Sequence, residues 1–498
     1  MCRYCGKIRL FLVKKLHKKA SLTVSYLLLA VISHSSYSAD VKLPLLGDSS
    51  SGIVSKQQEY KLGKSWLQAF RRHVEVHDDP LLQSYLEQLS YDLVAHSDLE
   101  DTKISLVVVN NPTINAFAVP GGIIGIHTGI FSYADNEDQL SSIVAHEIAH
   151  LTQRHFARSV EAQRSASAIS LAGMLATIIV SSQTDTDTDT AIATLTAAQA
   201  ISADQQLRYS RSNEQEADRQ GVKILSKAGR DPGASADMLN NMLALSRYKG
   251  NRAPEFLLTH PVTERRVADT RARTLKEKKR HYPDSPDYYL MQARTAILLQ
   301  DDAEYSVSYF KQKVAVNSLQ QNAAKYGLAI AYSRLGEYKK ANQLLSILLK
   351  QDPLNRIYIY TDIENDLAAK DYKSALTKLE YQLKLNHKNY PLQSLMAETL
   401  WQNKQYMASA MALTKLSNQR KEDPAIWYKL AEVRGLAGDI SGVHKARAEY
   451  FILIGAFENA KKQLNLAAKL VAYDFKHRSI IEQRIIDVEQ MEEDVRKL

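Results

Sequence analysis

The chain has 498 residues, too many for one hydrophobic core, and with 45% hydrophobic and 24% charged residues it is neither disordered nor fibrous. Its only cysteines are Cys2 and Cys5, which excludes a disulfide scaffold. The net charge of +9 is concentrated at the N-terminus and so gives no argument for nucleic-acid binding.

Residues 1–20 carry Arg3, Lys7, Arg9, Lys14, Lys15, Lys18 and Lys19 and no acid. An apolar stretch from Leu22 to Ile32 follows, and Ser36-Tyr37-Ser38 sets small residues at the −3 and −1 positions of a cleavage site. This pattern predicts a signal peptide over 1–38, removed before Ala39. Losing its seven basic residues takes the net charge from +9 to +2 and removes both cysteines, so no thiol nucleophile or lipid-bearing cysteine remains. A cysteine-free mature chain suits an oxidising compartment, and a periplasm is the expected location. No stretch beyond residue 38 reaches the roughly 20 apolar residues of a membrane span, which argues against a membrane-embedded enzyme but leaves peripheral membrane contact open.

The elements then follow in order. Apolar residues at three- and four-residue spacings (Leu62, Trp66, Phe70; Leu82, Tyr85, Leu86, Leu89) predict two helices within 57–98, broken at Asp78-Asp79-Pro80. Ile104–Val109 is β-branched, Asn110-Asn111-Pro112 reads as a turn, and Asn115–Val119 and Ile123–Ile126 flank Pro120-Gly121-Gly122 as a hairpin. An exposed strand there could hold an extended polypeptide by backbone hydrogen bonds. Helical periodicity returns from Asn136. Residues 168–180 are uncharged and mostly apolar, which suits a buried helix or a surface that touches membrane or client, and the Thr/Asp alternation over 184–190 reads as a low-complexity loop. A second helical pattern runs from Ala191 towards Glu214.

Beyond about residue 283 a 34-residue period emerges. Gly336, Tyr338 and Ala341 are echoed by Tyr372 and Ala375 and again by Tyr406 and Ser409. Trp427, Leu430, Ala431 and Gly438 give a divergent copy, as do Gly455, Phe457, Ala460 and Leu464. The period and its small residues resemble tetratricopeptide repeats, with the charged tail from Lys476 to Leu498 as a capping helix. The fold class expected is therefore mainly α, with one small sheet.

The chemistry centres on His146-Glu147-Ile148-Ala149-His150. Residues i and i+4 of a helix share a face, so His146 and His150 can offer imidazole nitrogens to one zinc ion at about 2.0–2.1 Å. Glu147 can reach a water activated by that ion and act as general base. A catalytic zinc needs a third protein ligand, and Asn213-Glu214-Gln215-Glu216-Ala217-Asp218 offers carboxylates on a predicted helix. The chemistry alone does not choose between Glu214 and Glu216. His155, with no such partners in sequence, reads as a solvated histidine.

The His146–His150 motif, the Glu214-x-x-Ala217-Asp218 motif 64 residues after His150, the run Asn115–Gly122 and Thr259-His260-Pro261 with Arg265-Arg266 together resemble the M48 family of zinc metallopeptidases over about residues 57–270. The resemblance implies an α+β zincin-like domain over 39–272 and an α-solenoid of repeats over 283–498. It implies one zinc per chain, Glu214 as third ligand and Asp218 orienting a ligand histidine. It also implies that His260 reaches the metal and holds the site latent. Arg265 or Arg266 could stabilise the oxyanion. With an export signal and repeats, the resemblance further implies a periplasmic endopeptidase that degrades misfolded or stalled outer-membrane proteins and assists their assembly. Its partners would be unfolded or misassembled outer-membrane proteins and, through the repeats, the outer-membrane assembly machinery, with no role for nucleic acid. The alternative is a chaperone or assembly adaptor with a latent zinc site.

Overall fold

A computed structural model describes residues 54–74, 76, 78–162, 203–248, 255–275, 282–316 and 320–497. The expected signal peptide, the 168–180 segment and the Thr/Asp run at 184–190 lie outside these residues.

Helix α1 (Lys56–His73) starts at a capping box, in which the Ser55 side chain accepts from Gln58 N and the Gln58 side chain accepts from Ser55 N. Helix α2 (Pro80–Ala95) starts at Asp79, whose carboxylate accepts from the backbone N–H of Leu81 and Leu82, with Pro80 at the first helical position. The break read at 78–80 is thus a cap. The sheet has strand order β1-β3-β2, with β1 (Ser105–Val109) parallel to β3 (Ile123–His127) and β2 (Ala116–Val119) antiparallel to it. Gly121 and Gly122 make the β2–β3 turn at φ 84° and 78°, a left-handed path that favours glycine.

Strand β2 is an edge and lies against α3 (Glu137–Thr152), the helix of the histidine motif. Helix α4 (His155–Ala162) follows at once, and among the described residues α5 (Ala203–Lys227), α6 (Gly233–Tyr248), α7 (Glu255–Thr259) and α8 (Glu264–Thr274) come next. Helix α5 packs along α3, and Gly221 permits it: a Cβ there would lie 3.4 Å from His146 N. That close approach brings the carboxylates of α5 under the histidines of α3.

Among the described residues twelve helices follow: α9 (Pro286–Leu298), α10 (Ala303–Ala315), α11 (Gln321–Arg334), α12 (Tyr338–Gln351), α13 (Arg356–Ala368), α14 (Tyr372–Leu385), α15 (Tyr390–Gln402), α16 (Tyr406–Gln419), α17 (Pro424–Leu436), α18 (Ile440–Leu453), α19 (Phe457–Leu470) and α20 (Phe475–Arg496). The second helix of four successive pairs begins at Tyr338, Tyr372, Tyr406 and Ile440, each 34 residues after the last. Ala341, Ala375 and Ser409 are fully buried, as their role in close helix packing requires. The turn within each pair holds a left-handed residue at the same register: Gly336, Lys370, Lys404 and Gly438. Two copies therefore keep the turn with lysine, which is why the glycine of the repeat was visible only in part. The mainly helical class with one small sheet is the fold observed.

The repeats fold back onto the first part. One hydrophobic core runs from Leu81 on α2 through Ile148 and Tyr288 to Leu395 on α15. Polar ties reinforce it: Tyr288 Oη donates to Ala134 O at 2.6 Å, Arg420 pairs with Glu87 at 2.6 Å, and Gln68 Nε2 donates to Ile452 O at 2.9 Å. No helix among the described residues is long and apolar enough to cross a membrane.

Candidate metal centre

Helix α3 begins where Asn136 accepts from Gln139 N, and it is buried almost throughout, so its polar residues need internal partners. His146 and His150 lie one turn apart, with their Nε2 atoms 3.0 Å from each other. Glu214 on α5 places Oε2 3.4 Å from His146 Nε2 and Oε1 3.5 Å from His150 Nε2. Ligands at about 2.0–2.1 Å from a tetrahedral ion stand roughly 3.3 Å apart, so these three groups have the separations of a zinc site. Ligand atoms of His146, His150, Glu214 and His260 all lie within 4.8 Å of one another.

His260 lies just after α7, its ring stacked on Phe256 at 4.7 Å and its Nδ1 3.0 Å from Glu214 Oε1. Its Nε2 stands 3.8 Å from Glu147 Oε1. Glu147 is 1% exposed, and neither of its carboxylate oxygens has a hydrogen-bond partner. Burial raises the Glu147 carboxyl above the ordinary carboxylate range, against the opposing charges of His260 and His146. A buried carboxylate without a hydrogen-bond partner next to a ligand set is unfavourable for folding alone. It is the group expected where a proton must be taken from a water beside the metal.

The supporting shell is specific. His146 Nδ1 lies 3.2 Å from Asp218 Oδ1, so its other nitrogen is oriented towards Glu214. Burial works against charge on both imidazoles. At His146 the hydrogen bonds to Asp218 and Glu214 reverse that effect, whereas His150 stays well below its usual range. Burial also opposes ionisation of Glu214, yet the charge of His260 and hydrogen bonds from His146 and His260 hold its carboxyl well below the usual range. Arg266 Nε and Nη2 each donate to Asp218 at 2.8 Å, while Nη1 donates to Pro261 O at 2.8 Å and pairs with Glu214 Oε2 at 3.0 Å.

Two expectations need correction. His155 is not solvated: it is 4% exposed, its Nδ1 lies 2.8 Å from His150 Nδ1, and its Nε2 lies 3.3 Å from Glu216 Oε2. The oxyanion role for Arg265 or Arg266 also finds no support. Arg265 is exposed, and Arg266 spends its donors on Asp218, Glu214 and Pro261. The open choice between Glu214 and Glu216 has a geometric answer, because Glu214 faces the histidine pair while Glu216 faces His155 and Arg158.

Two histidines and a carboxylate give the donor set of a zinc centre, and an adjacent glutamate without a hydrogen-bond partner makes it a hydrolytic one. Residues 80–274 match the sequence pattern of peptidase family M48. The chain is 32% identical over 457 residues to the beta-barrel assembly-enhancing protease of Escherichia coli (strain K12), covering 92% of this chain and 93% of that one. It is 31% identical over 457 residues to the protein of the same name from Yersinia pestis, covering 91% and 93%. A mitochondrial metalloendopeptidase OMA1 of Schizosaccharomyces pombe is 30% identical over 205 residues, 40% of this chain and 57% of its own. The chain belongs to peptidase family M48 and is a zinc metallopeptidase.

Proposed function

We propose that this chain is an exported, periplasmic endopeptidase that degrades misfolded or stalled outer-membrane proteins and assists their assembly. The name shared by the relatives from E. coli and Y. pestis supports the assembly role. The observation that carries the peptidase chemistry is Glu147, buried, without a hydrogen-bond partner and adjacent to the ligand set. A chaperone or adaptor with a latent zinc site would gain nothing from that carboxylate.

His146, His150 and Glu214 would hold the zinc, which when bound supplies Lewis-acid activation of a water and of the scissile carbonyl. Glu147 takes the proton of the attacking water and hands it to the leaving amine. Asp218 holds the His146 ring, and Arg266 fixes both Asp218 and Glu214. In the antiparallel ladder, Asn115 O accepts from His127 N, so the alternation turns the N–H and C=O groups of Ala116 and Ala118 away from β3; Ala116 is fully buried and Ala118 half-buried. The strand expected to be exposed is mostly covered, so an extended chain can pair with it only at Ala118, a contact that would select extended backbone over sequence. Exposed apolar residues on the repeats, among them Tyr381, Leu385, Met407 and Met411, offer contacts to protein partners.

The test is cleavage of an unfolded outer-membrane β-barrel protein against the same protein folded in detergent. The purified chain should cut the unfolded form, lose activity to a chelator and regain it with zinc. Cleavage of both forms at equal rates would overturn the client assignment.

His260 sits where a regulatory ligand would. With its ring between Glu214 and Glu147, it competes for the position the attacking water needs. Replacing His260 by Ala should raise basal cleavage several-fold with zinc retained. Unchanged or lower cleavage at full zinc occupancy would remove the latent-state role.

A further inference from the structure

The turn between α3 and α4 breaks the helix to a purpose. Had α3 continued, His155 at five residues from His150 would point to another face. Instead Arg154 adopts φ 49°, a left-handed conformation costly for a residue with a side chain. Its guanidinium is held by Glu59 Oε2 at 2.9 Å and Val54 O at 2.8 Å. The reversal swings His155 back beneath His150.

We propose that His155 and Glu216 form a positioning relay that fixes the tautomer and orientation of the ligand His150; this rests on the ligand set described above. The proton accounting leaves one arrangement. If His150 Nε2 gives its lone pair to zinc, its hydrogen is on Nδ1 and points at His155 Nδ1, 2.8 Å away. His155 Nδ1 must then be the bare acceptor, so its own hydrogen lies on Nε2 and is donated to Glu216 Oε2 at 3.3 Å. Arg158 Nη1 holds that same oxygen at 2.9 Å. The two ligand histidines are thus braced differently: His146 directly by Asp218, and His150 through an interposed imidazole and then Glu216. The second arrangement extends the usual carboxylate–histidine–metal support by one ring.

The relay is tested by zinc affinity in the full chain, measured by competition with a chelator, together with the melting temperature of the zinc-free form. His155→Phe fills the space but removes both nitrogens, and it should weaken zinc binding by about 10- to 100-fold, the usual cost of losing such a partner. His155→Gln keeps an acceptor and a donor and should stay within several-fold of wild type. Glu216→Gln should weaken binding a few-fold, and His155→Phe/Glu216→Gln should be no weaker than His155→Phe alone. If His155→Phe does not fold, His155→Gln and Glu216→Gln decide the matter in the same assay. Wild-type affinity in His155→Phe, additive losses in the double variant, or a loss in His155→Gln equal to that in His155→Phe would each overturn the relay. A wild-type chain that binds no zinc would overturn the ligand set itself, a distinct result.

Discussion

Glu147→Gln should keep one zinc per chain while cleavage of an unfolded polypeptide falls by about 10²–10⁴-fold, the usual contribution of a positioned general base. The amide has the shape of the carboxylate but cannot accept the proton. Both carboxylate oxygens of Glu147 lack hydrogen-bond partners, so the substitution breaks no hydrogen bond in the resting protein and loses only the 3.8 Å contact with His260. It also removes the cost of burying an ionisable group without a hydrogen-bond partner, and the zinc-free variant should melt at or above the wild-type temperature. Zinc content, turnover and melting measured on one preparation separate the outcomes. A variant that cleaves at the wild-type rate would show that Glu147 is not the base. Loss of zinc along with loss of cleavage would make it a structural part of the metal site.

What could be read in the sequence was local. The 3.6-residue period, Asp79-Pro80 and the glycine turn at 121–122 each act within a few residues, and each gave its element with little displacement. The histidine pair was legible for the same reason, since four residues on a helix fix their geometry. Glu214 against Glu216 was not, because residues two apart on α5 face in different directions and only packing on α3 selects one. Resemblance to a family chose Glu214, and the contact at Gly221 gives the physical ground for that choice. His155 was misread because an arginine in a left-handed turn leaves no mark in the sequence, unlike a glycine. Arg266 was half legible: a basic pair was visible, but its burial with Val267 and Thr270 follows from how α8 docks.

The ties between the peptidase and repeat parts were the least legible, and they set the other large expected effect. Arg294 on α9 is 6% exposed. It donates to Asp79 Oδ2 at 2.6 Å and, through Nη1 and Nη2, to the two oxygens of Glu364 on α13 at 2.8 Å each. Asp79 uses its other oxygen to cap α2, so one carboxylate joins the start of a peptidase helix to the repeats. Burial alone would disfavour charge on Arg294, but the two carboxylates raise its pKa well above the usual value. Arg294→Met should therefore destabilise the chain by about 3 kcal/mol, near the lower end for breaking a buried pair, because Glu364 keeps partial access to water while Asp79 does not. Arg294→Met/Asp79→Asn/Glu364→Gln keeps the cap through the Asn oxygen and leaves no orphan charge, so it should recover much of the loss. Denaturant titration measures both, and a loss below about 1 kcal/mol in the single variant would show that the triad contributes little. Because the hydrophobic core crosses from α2 to α15, the wild-type chain should unfold in one transition, and zinc should shift all of it. Two separate transitions, only one of them zinc-dependent, would mean that the repeats hold together without the catalytic part.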